Sequence, residues 1–270
     1  MEQIIHNING SICYEHEGKG QVVVLLHGFG EDKSIWNHQI NFLKNYYQLI
    51  IPNLPGTGKS SLLQGLNIQI EDYADWLFHF LQHFINPSQK IILLGHSMGG
   101  YIGLAYAKKY AETLAGFGLI HSTAFTDSDE KKEIRKRAID TINEYGAASF
   151  LKNTIPNLFA SSFKENNPTI INELIAQGKT LSKESLIQYY KAMMNRPDSS
   201  EVLKQSSVAV LFIMGKEDVA APLQDVLQQC HLPKISDILI LDNVAHMGML
   251  EATEQINEKL LSYLQMVLSN

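Results

Sequence analysis

Short runs of consecutive apolar residues recur along the chain, and between them lie segments whose apolar residues are three or four positions apart. The runs predict strands that are buried on both faces of a sheet, and the spacing predicts amphipathic helices. The predicted strands are residues 22–26, 47–52, 90–94, 116–121, 208–214 and 237–241, and the predicted helices are residues 34–45, 70–85, 98–110 and 250–268. Because strands and helices alternate, we predict an α/β fold with a mostly parallel central sheet and helices on both faces.

The beginning of the chain has a different pattern. Residues 4–8 and 11–15 are two short segments separated by Asn9-Gly10. An Asn-Gly pair favours the two-residue turn of a β-hairpin, because both residues tolerate a positive φ. We therefore predict an antiparallel hairpin ahead of the parallel strands.

A long stretch, residues 125–206, interrupts the alternation of strands and helices. It contains helical patterns at residues 131–145, 147–153, 170–177 and 183–194, with no convincing strand between them. Connections inside a compact sheet are usually far shorter than this. We predict a core formed by residues 1–124 and 207–270, with residues 125–206 inserted as a helical lid above the carboxyl ends of the strands.

Composition narrows the class of protein. The chain has 270 residues, of which 45% are hydrophobic and 19% charged, with a net charge of −6. The negative charge argues against nucleic acid or an anionic membrane as the main partner. Two cysteines, Cys13 and Cys230, cannot form a disulfide framework. The first residues lack the pattern of a signal peptide and no apolar run reaches membrane-spanning length, so a cytoplasmic location is expected.

Ser97 is the candidate nucleophile. It lies at the centre of residues 95–99 (GHSMG), directly after a predicted strand and directly before a helix rich in small residues. A strand can turn this sharply into a helix only where glycines allow neighbouring backbone to approach, and the serine is then held at a positive φ. A helix N-terminus also presents free N–H groups to a developing oxyanion. The pattern therefore predicts a nucleophile elbow.

A serine hydroxyl needs a general base, and the base needs a carboxylate that orients it. Asp218 follows the predicted strand 208–214, and His246 follows the predicted strand 237–241. Both positions lie at the carboxyl ends of strands, where sites form in open α/β sheets. We predict that His246 is the base and Asp218 the orienting acid. Three competing carboxylates remain open at this point, namely Glu217, Asp225 and Asp242.

An oxyanion hole needs two backbone N–H donors near the nucleophile. The first predicted donor is Met98, the residue after Ser97. The second is Phe29, because residues 27–30 (HGFG) follow the first long parallel strand and contain two glycines.

Four motifs together resemble the landmarks of the α/β-hydrolase superfamily, in its branch with a serine nucleophile and a helical lid. They are residues 27–30 (HGFG) with Trp36 behind them, 95–100 (GHSMGG), 215–218 (GKED) and 245–246 (AH). They occur in this order and leave only the lid unmatched. The resemblance implies the fold and the triad chemistry, without a cofactor or a metal. It extends to carboxylesterases and to meta-cleavage-product hydrolases.

The predicted lid supplies the candidates for substrate and partner binding. Phe159 and Tyr190 are predicted to line an acyl pocket, together with His121 at the end of a strand near the lid entrance. A basic run is predicted to dock an acidic acyl carrier or an anionic substrate. Its cations are Lys131, Lys132, Arg135, Lys136 and Arg137.

The function that these features favour is hydrolysis of a carboxylic ester or thioester through an acyl-enzyme on Ser97. Three alternatives share much of the same machinery. They are a carbon–carbon bond hydrolase or lyase, a cofactor-free haloperoxidase-like perhydrolase, and a non-catalytic ligand receptor on a hydrolase scaffold. An intact Ser, Asp and His set argues against the receptor, which has no need of all three.

Overall fold

The computed structural model describes residues 2–7, 10–86 and 88–269. A single eight-stranded sheet forms its centre, with the order β1-β2-β4-β3-β5-β6-β7-β8. The strands are β1 (Glu2–Asn7), β2 (Gly10–Glu17), β3 (Val22–Leu26), β4 (Gln48–Pro52), β5 (Ile91–His96), β6 (Leu114–Ile120), β7 (Ala209–Gly215) and β8 (Ser236–Leu241). The predicted α/β class is confirmed.

The sheet is antiparallel at one edge and parallel elsewhere. β1 pairs with β2 and β2 pairs with β4 in antiparallel orientation, whereas β4, β3, β5, β6, β7 and β8 are parallel. The two strands of the predicted hairpin are therefore present, and its residues 8 and 9 lie outside the described residues. Every residue of β3, β5 and β7 is buried, as expected for parallel strands covered on both faces.

Helices pack against the sheet, and further helices form the segment between β6 and β7. They are α1 (Asn37–Leu43), α2 (Ile70–Leu81), α3 (Met98–Lys109), α4 (Asp129–Thr154), α5 (Ser161–Asn166), α6 (Pro168–Gly178), α7 (Lys183–Asn195), α8 (Ser200–Gln205), α9 (Leu223–Leu227), α10 (Gly248–Glu251) and α11 (Thr253–Ser269). The predicted helix 250–268 is broken at Ala252, whose φ of −138° and ψ of 49° are not helical. None of the helices among the described residues is long and apolar enough to cross a bilayer.

Residues 125–206, here called the helical insertion, connect β6 to β7 and contain α4 to α8. The two predicted helices 131–145 and 147–153 form the two parts of α4, which are separated at Gly146. Gly146 has φ 82° and ψ 163°, a conformation that interrupts a helix. The short helices α5 and α8 were not predicted, because six residues carry too little periodicity.

Candidate active site

The turn at Ser97 has the conformation that the sequence predicts. Ser97 joins β5 to α3 with φ 51° and ψ −114°, and its N–H donates to the Ile120 carbonyl at 2.9 Å. A positive φ at a residue other than glycine costs about 1–3 kcal/mol, and such strain is concentrated at functional sites. A Cβ on Gly95 would lie 2.3 Å from backbone atoms of Gly99, and a Cβ on Gly99 would lie 2.6 Å from the Leu26 carbonyl oxygen. The flanking glycines are therefore required by close backbone approach.

The loops after β7 and β8 bring Asp218 and His246 together. Nδ1 of His246 lies 2.8 Å from Oδ2 and 3.0 Å from Oδ1 of Asp218, and both side chains are buried. The two loops can meet because residue 215 is glycine, where a Cβ would lie 2.3 Å from the Val244 carbonyl oxygen. Of the competing carboxylates, Asp242 is 70% exposed and pairs with Lys216. The other two, Glu217 and Asp225, are also exposed.

Asp218 is held ionised by its surroundings. Burial opposes ionisation, but His246 and the hydrogen bonds from His121 and His246 outweigh it and keep the pKa of Asp218 well below its usual range. Its Oδ1 also accepts the N–H groups of Ala220 at 2.8 Å and Ala221 at 2.9 Å. An ionised carboxylate only accepts hydrogen bonds, so His246 carries its proton on Nδ1. Nε2 of His246 is thereby left as the basic nitrogen.

His96, the residue before Ser97, links three loops of the site. Its Nε2 lies 2.9 Å from the His246 carbonyl oxygen, and its Nδ1 lies 3.0 Å from Oε2 of Glu31. The same Glu31 oxygen accepts the N–H of Gly28 at 2.8 Å. Both side chains of the pair are buried. The two residues therefore hold the loop after β3, the Ser97 turn and the His246 loop in one arrangement, a role that the sequence analysis did not predict.

The free energy of unfolding should depend on pH through the pair of Glu31 and His96. Burial lowers the pKa of His96, but Glu31 outweighs it and the net shift is upward. Burial raises the pKa of Glu31, but His96 outweighs it and the net shift is downward. A raised histidine pKa stabilises the fold below about pH 6.5, and a lowered glutamate pKa stabilises it above about pH 4.3. The contribution is thus complete between these two values, and it declines as the pH leaves that window in either direction.

We expect Glu31→Gln to lower the free energy of unfolding by about 3 kcal/mol at pH 5.5, because it leaves a buried histidine without its charge partner. At pH 9 the loss should be smaller, because the histidine contribution is lost as the pH rises through its raised pKa. Thermal and urea unfolding at both pH values measure the difference. Glu15→Gln is the control, on the hairpin and outside this pair. An equal loss for Glu31→Gln at both pH values would contradict the assignment.

Glu251 fixes the other side of the His246 loop. Its carboxylate accepts the N–H groups of Ala245 at 3.2 Å, Met247 at 3.0 Å and Ala160 at 2.8 Å. The N–H of His246 itself donates to the Leu158 carbonyl at 2.9 Å. Residues 158 and 160 belong to the helical insertion, so the insertion is hydrogen-bonded directly to the loop that carries the candidate base.

The loop of residues 27–30 lies against the Ser97 turn. A Cβ on Gly28 would lie 3.0 Å from the Ser97 Cβ. His27 braces this loop, because its Nε2 accepts the N–H of Leu54 at 2.9 Å and its Nδ1 lies 2.9 Å from the Gly28 carbonyl oxygen. The N–H groups of Phe29 and Met98 are not among the donors in the hydrogen bonds found between described residues. Their role as oxyanion donors stays a prediction.

The structure separates the three residues predicted to line an acyl pocket. The Tyr190 ring stacks on Phe29 with centroids 4.2 Å apart, next to the loop of the predicted oxyanion donor. Phe159 is buried and stacks on Phe163 in the insertion. His121 has no exposed surface, and its Nδ1 lies 3.1 Å from Oδ2 of Asp218. The structure thus brings His121 into contact with the candidate orienting acid, and its pocket-lining role stays a prediction.

One ligand atom each from His121, Asp218 and His246 lies within 4.8 Å of the others, which is close enough to hold a metal ion. The same atoms also fit the hydrogen bonds described above. Each histidine Nδ1 donates to the carboxylate, so a metal bound through these atoms would replace those hydrogen bonds.

The five cations of the basic run do not lie on one face of α4. Nζ of Lys131 donates to the Ala220 carbonyl at 2.6 Å, and Nε of Arg135 donates to Asp127 at 2.6 Å. Asp127 also pairs with Arg196 at 2.9 Å. Lys136 and Arg137 are exposed and Lys132 is half-buried. Because Lys131 and Arg135 make contacts within the protein, Lys132, Lys136 and Arg137 are the candidates for meeting a partner at the surface.

A model of the alpha/beta hydrolase family matches residues 23–259, and the chain belongs to this family. The match includes the Ser97 turn and the loops of Asp218 and His246. The chain is therefore a hydrolase with the α/β-hydrolase fold, as the resemblance of its four motifs implies.

Individual relatives support the same class. The chain is 27% identical over 240 residues to a pimeloyl-[acyl-carrier protein] methyl ester esterase of Wigglesworthia glossinidia brevipalpis, covering 85% of this chain and 88% of the relative. It is 24% identical over 260 residues to a 2-hydroxy-6-oxo-6-(2'-aminophenyl)hexa-2,4-dienoic acid hydrolase of Metapseudomonas resinovorans, covering 93% and 86%. A malate-bound thermophilic esterase from Thermogutta terrifontis superposes with a TM-score of 0.90 at 29% identity, covering 99% of both chains.

Proposed function

We propose that this protein is a serine hydrolase that cleaves a carboxylic ester or thioester through an acyl-enzyme on Ser97. The observation that carries the proposal is the buried hydrogen bond of 2.8 Å between His246 and Asp218. The His246 ring centroid lies 4.8 Å from that of His96, the residue before Ser97, and Ser97 is held at a positive φ of 51° at the start of a helix. These are the three groups that acyl transfer requires.

The proposed reaction has two halves. Nε2 of His246 takes the Ser97 proton as Oγ attacks the carbonyl carbon, and the N–H groups of Phe29 and Met98 stabilise the oxyanion. The imidazolium then gives this proton to the leaving alcohol or thiol, which forms the acyl-enzyme. In the second half, His246 removes a proton from water as the water oxygen attacks the acyl carbon, the imidazolium returns this proton to Ser97 Oγ as the acyl–Oγ bond breaks, and the carboxylic acid is released. Asp218 keeps the proton of His246 on Nδ1 and stabilises the imidazolium.

An ester is the favoured substrate because two of the relatives above are named as esterases. The relative named as a dienoic acid hydrolase supports carbon–carbon cleavage as the second candidate. Labelling with a fluorophosphonate probe, followed by p-nitrophenyl esters of increasing chain length, tests the ester proposal. Turnover of the dienoic acid together with failure to cleave any ester of the series would favour the second candidate.

We also propose that specificity for the acyl group resides in residues 125–206, acting as a lid. The support is the contact of Tyr190 with Phe29, which places the insertion beside the proposed oxyanion donor. Apolar and aromatic side chains at this position favour short to medium acyl chains over highly charged groups.

An acidic acyl carrier is the proposed partner, bound through Lys132, Lys136 and Arg137. The support is the relative whose name includes an acyl-carrier protein, together with the exposure of Lys136 and Arg137. We expect the double variant Lys136→Glu, Arg137→Glu to lower kcat/KM for a carrier-bound ester about 10-fold at low salt, because surface charges act mainly on the association rate.

The effect of this double variant should fade at high salt as the charges are screened. A free p-nitrophenyl ester should be turned over normally. Lys19→Glu, Lys90→Glu is the matched double charge reversal, because both lysines are exposed on the core. Unchanged low-salt kcat/KM for the carrier-bound ester would mean that these cations form only a solvated helix surface.

A further inference from the structure

The carboxylate of Asp218 lies between two histidines. Oδ2 is 2.8 Å from Nδ1 of His246 and 3.1 Å from Nδ1 of His121. We propose that His121 is a positioning residue, which donates its Nδ1–H to Asp218 and thereby fixes the carboxylate and reduces the negative charge facing His246. The inference rests on the proposed function, because it assigns His121 a role in orienting the base of that reaction.

The backbone of His121 has an uncommon conformation. His121 directly follows β6 and has φ 49°, in the left-handed region. Its N–H donates to the Ile213 carbonyl at 2.8 Å, on β7, the strand that leads to Asp218. Left-handed backbone is uncommon for residues other than glycine, and asparagine, aspartate and histidine adopt it more often than the rest. Such a conformation persists where the surroundings over-determine it, which is frequent at functional sites.

The protonation state of His121 follows from its surroundings. Burial lowers the pKa of His121 to about 4, so the ring is neutral at neutral pH. Because an ionised carboxylate only accepts, the single ring proton must be on Nδ1. Nε2 has no hydrogen-bond partner among the described residues and faces Gly248, where a Cβ would lie 2.3 Å away. The contact with Asp218 is thus the one hydrogen bond of this buried ring within the described chain.

Several titratable groups surround His246, and they differ in the charge that they bring to it. Asp218 lies on Nδ1, and the His121 ring centroid is 5.9 Å away. The His96 ring centroid is 4.8 Å away, and its partner Glu31 offsets its charge. The carboxylate of Glu251 accepts the N–H groups of Ala245 and Met247, the residues on either side of His246.

Asp218 is therefore the dominant charge that acts on His246. His121 and His246 both donate a hydrogen bond to Oδ2 of Asp218. Without His121, this oxygen has a single donor. The negative charge that His246 faces then increases, and the protonated form of the base is favoured.

Three substitutions distinguish the loss of the Nδ1–H donor of His121 from the loss of its side-chain volume. In His121→Asn, an amide N–H replaces Nδ1–H at the same branch of the side chain, and asparagine tolerates left-handed backbone. His121→Leu has a similar branch without a donor, and His121→Gly removes the side chain without backbone strain. We expect His121→Leu and His121→Gly to lower kcat about 10- to 100-fold, which is part of what general base catalysis contributes. We expect KM of these two variants to change less than about 2-fold. We expect His121→Asn to retain most of the activity.

The pH profile gives a measurement that a purely structural role would not change. In the Leu and Gly variants the acid limb of kcat/KM should move to higher pH by roughly half a pH unit, and in the Asn variant it should stay in place. Thermal unfolding of all three variants shows whether a loss of activity is a loss of fold. If the Leu and Gly variants are folded and keep the kcat and acid limb of the unmodified protein, the inference is wrong.

The inference can also be tested without any activity. In a Ser97→Ala background, NMR titration of the His246 ring should move to higher pH with His121→Leu and His121→Gly, but not with His121→Asn. Failure of the proposed function would instead appear as absence of probe labelling at Ser97 in the unmodified protein. An unmoved His246 titration in folded Leu and Gly variants would overturn the role of His121, whatever the labelling result.

Discussion

Replacing Ser97 by alanine should abolish fluorophosphonate labelling and lower kcat for ester hydrolysis by about 10⁶-fold, as loss of the nucleophile does in serine hydrolases. The large effect is expected because every step of the proposed reaction passes through Ser97 Oγ. The fold should survive, because alanine removes only the hydroxyl. Thermal unfolding of Ser97→Ala checks this point.

Mass spectrometry of the labelled peptide identifies the nucleophile directly. Ser162→Ala is the matched control, since Ser162 is exposed on α5 in the helical insertion. It should be labelled at the rate of the unmodified protein. A labelled peptide that lacks Ser97 would contradict the assignment of the nucleophile.

Asp218→Asn should lower kcat about 10⁴-fold, the loss seen when the orienting acid of such a triad becomes an amide. Both oxygens of Asp218 face N–H donors, with Ala220 and Ala221 on Oδ1 and His121 and His246 on Oδ2. An amide NH₂ would therefore meet a donor in either orientation. A less stable fold is expected as well, because buried donors lose their acceptor.

Asp242→Asn is the matched control for this prediction. Asp242 is 70% exposed and pairs with Lys216 at the surface, where an ion pair contributes little. Its kcat should stay within about 2-fold of the unmodified protein, since it touches none of the reacting groups. An inactive Asp242→Asn protein beside a fully active Asp218→Asn protein would mean that the acid is misassigned.

The sequence predicts the sheet because its signals are local. The apolar run of β3, for example, predicts the strand that is observed at Val22–Leu26. The turn at Ser97 is predictable for the same reason, since the strand, the glycines that permit close backbone approach and the helix follow one another within a few residues. Chain order and strand ends also favour Asp218, and the hydrogen bond to His246 distinguishes it from Asp242.

What the sequence does not predict depends on contacts between distant residues. Glu31 and His96 are 65 positions apart, and the contact between His96 and the His246 carbonyl spans 150 positions. No local pattern marks either contact. The contact of His121 with Asp218 is of the same kind, because the position of His121 at the end of a strand is local and its hydrogen bond to Asp218 spans 97 positions.

The hydrogen bonds between the helical insertion and the His246 loop limit how this enzyme can be recombined with its relatives. A chimera that exchanges residues 125–206 as one block removes the Leu158 carbonyl, which holds the N–H of His246, and the Ala160 N–H, which binds Glu251. A donor segment must supply both backbone groups at the same places, or the base loses part of its support. For the engineering of new specificities, residues 158–160 are therefore part of the catalytic core, although they lie inside the exchangeable segment.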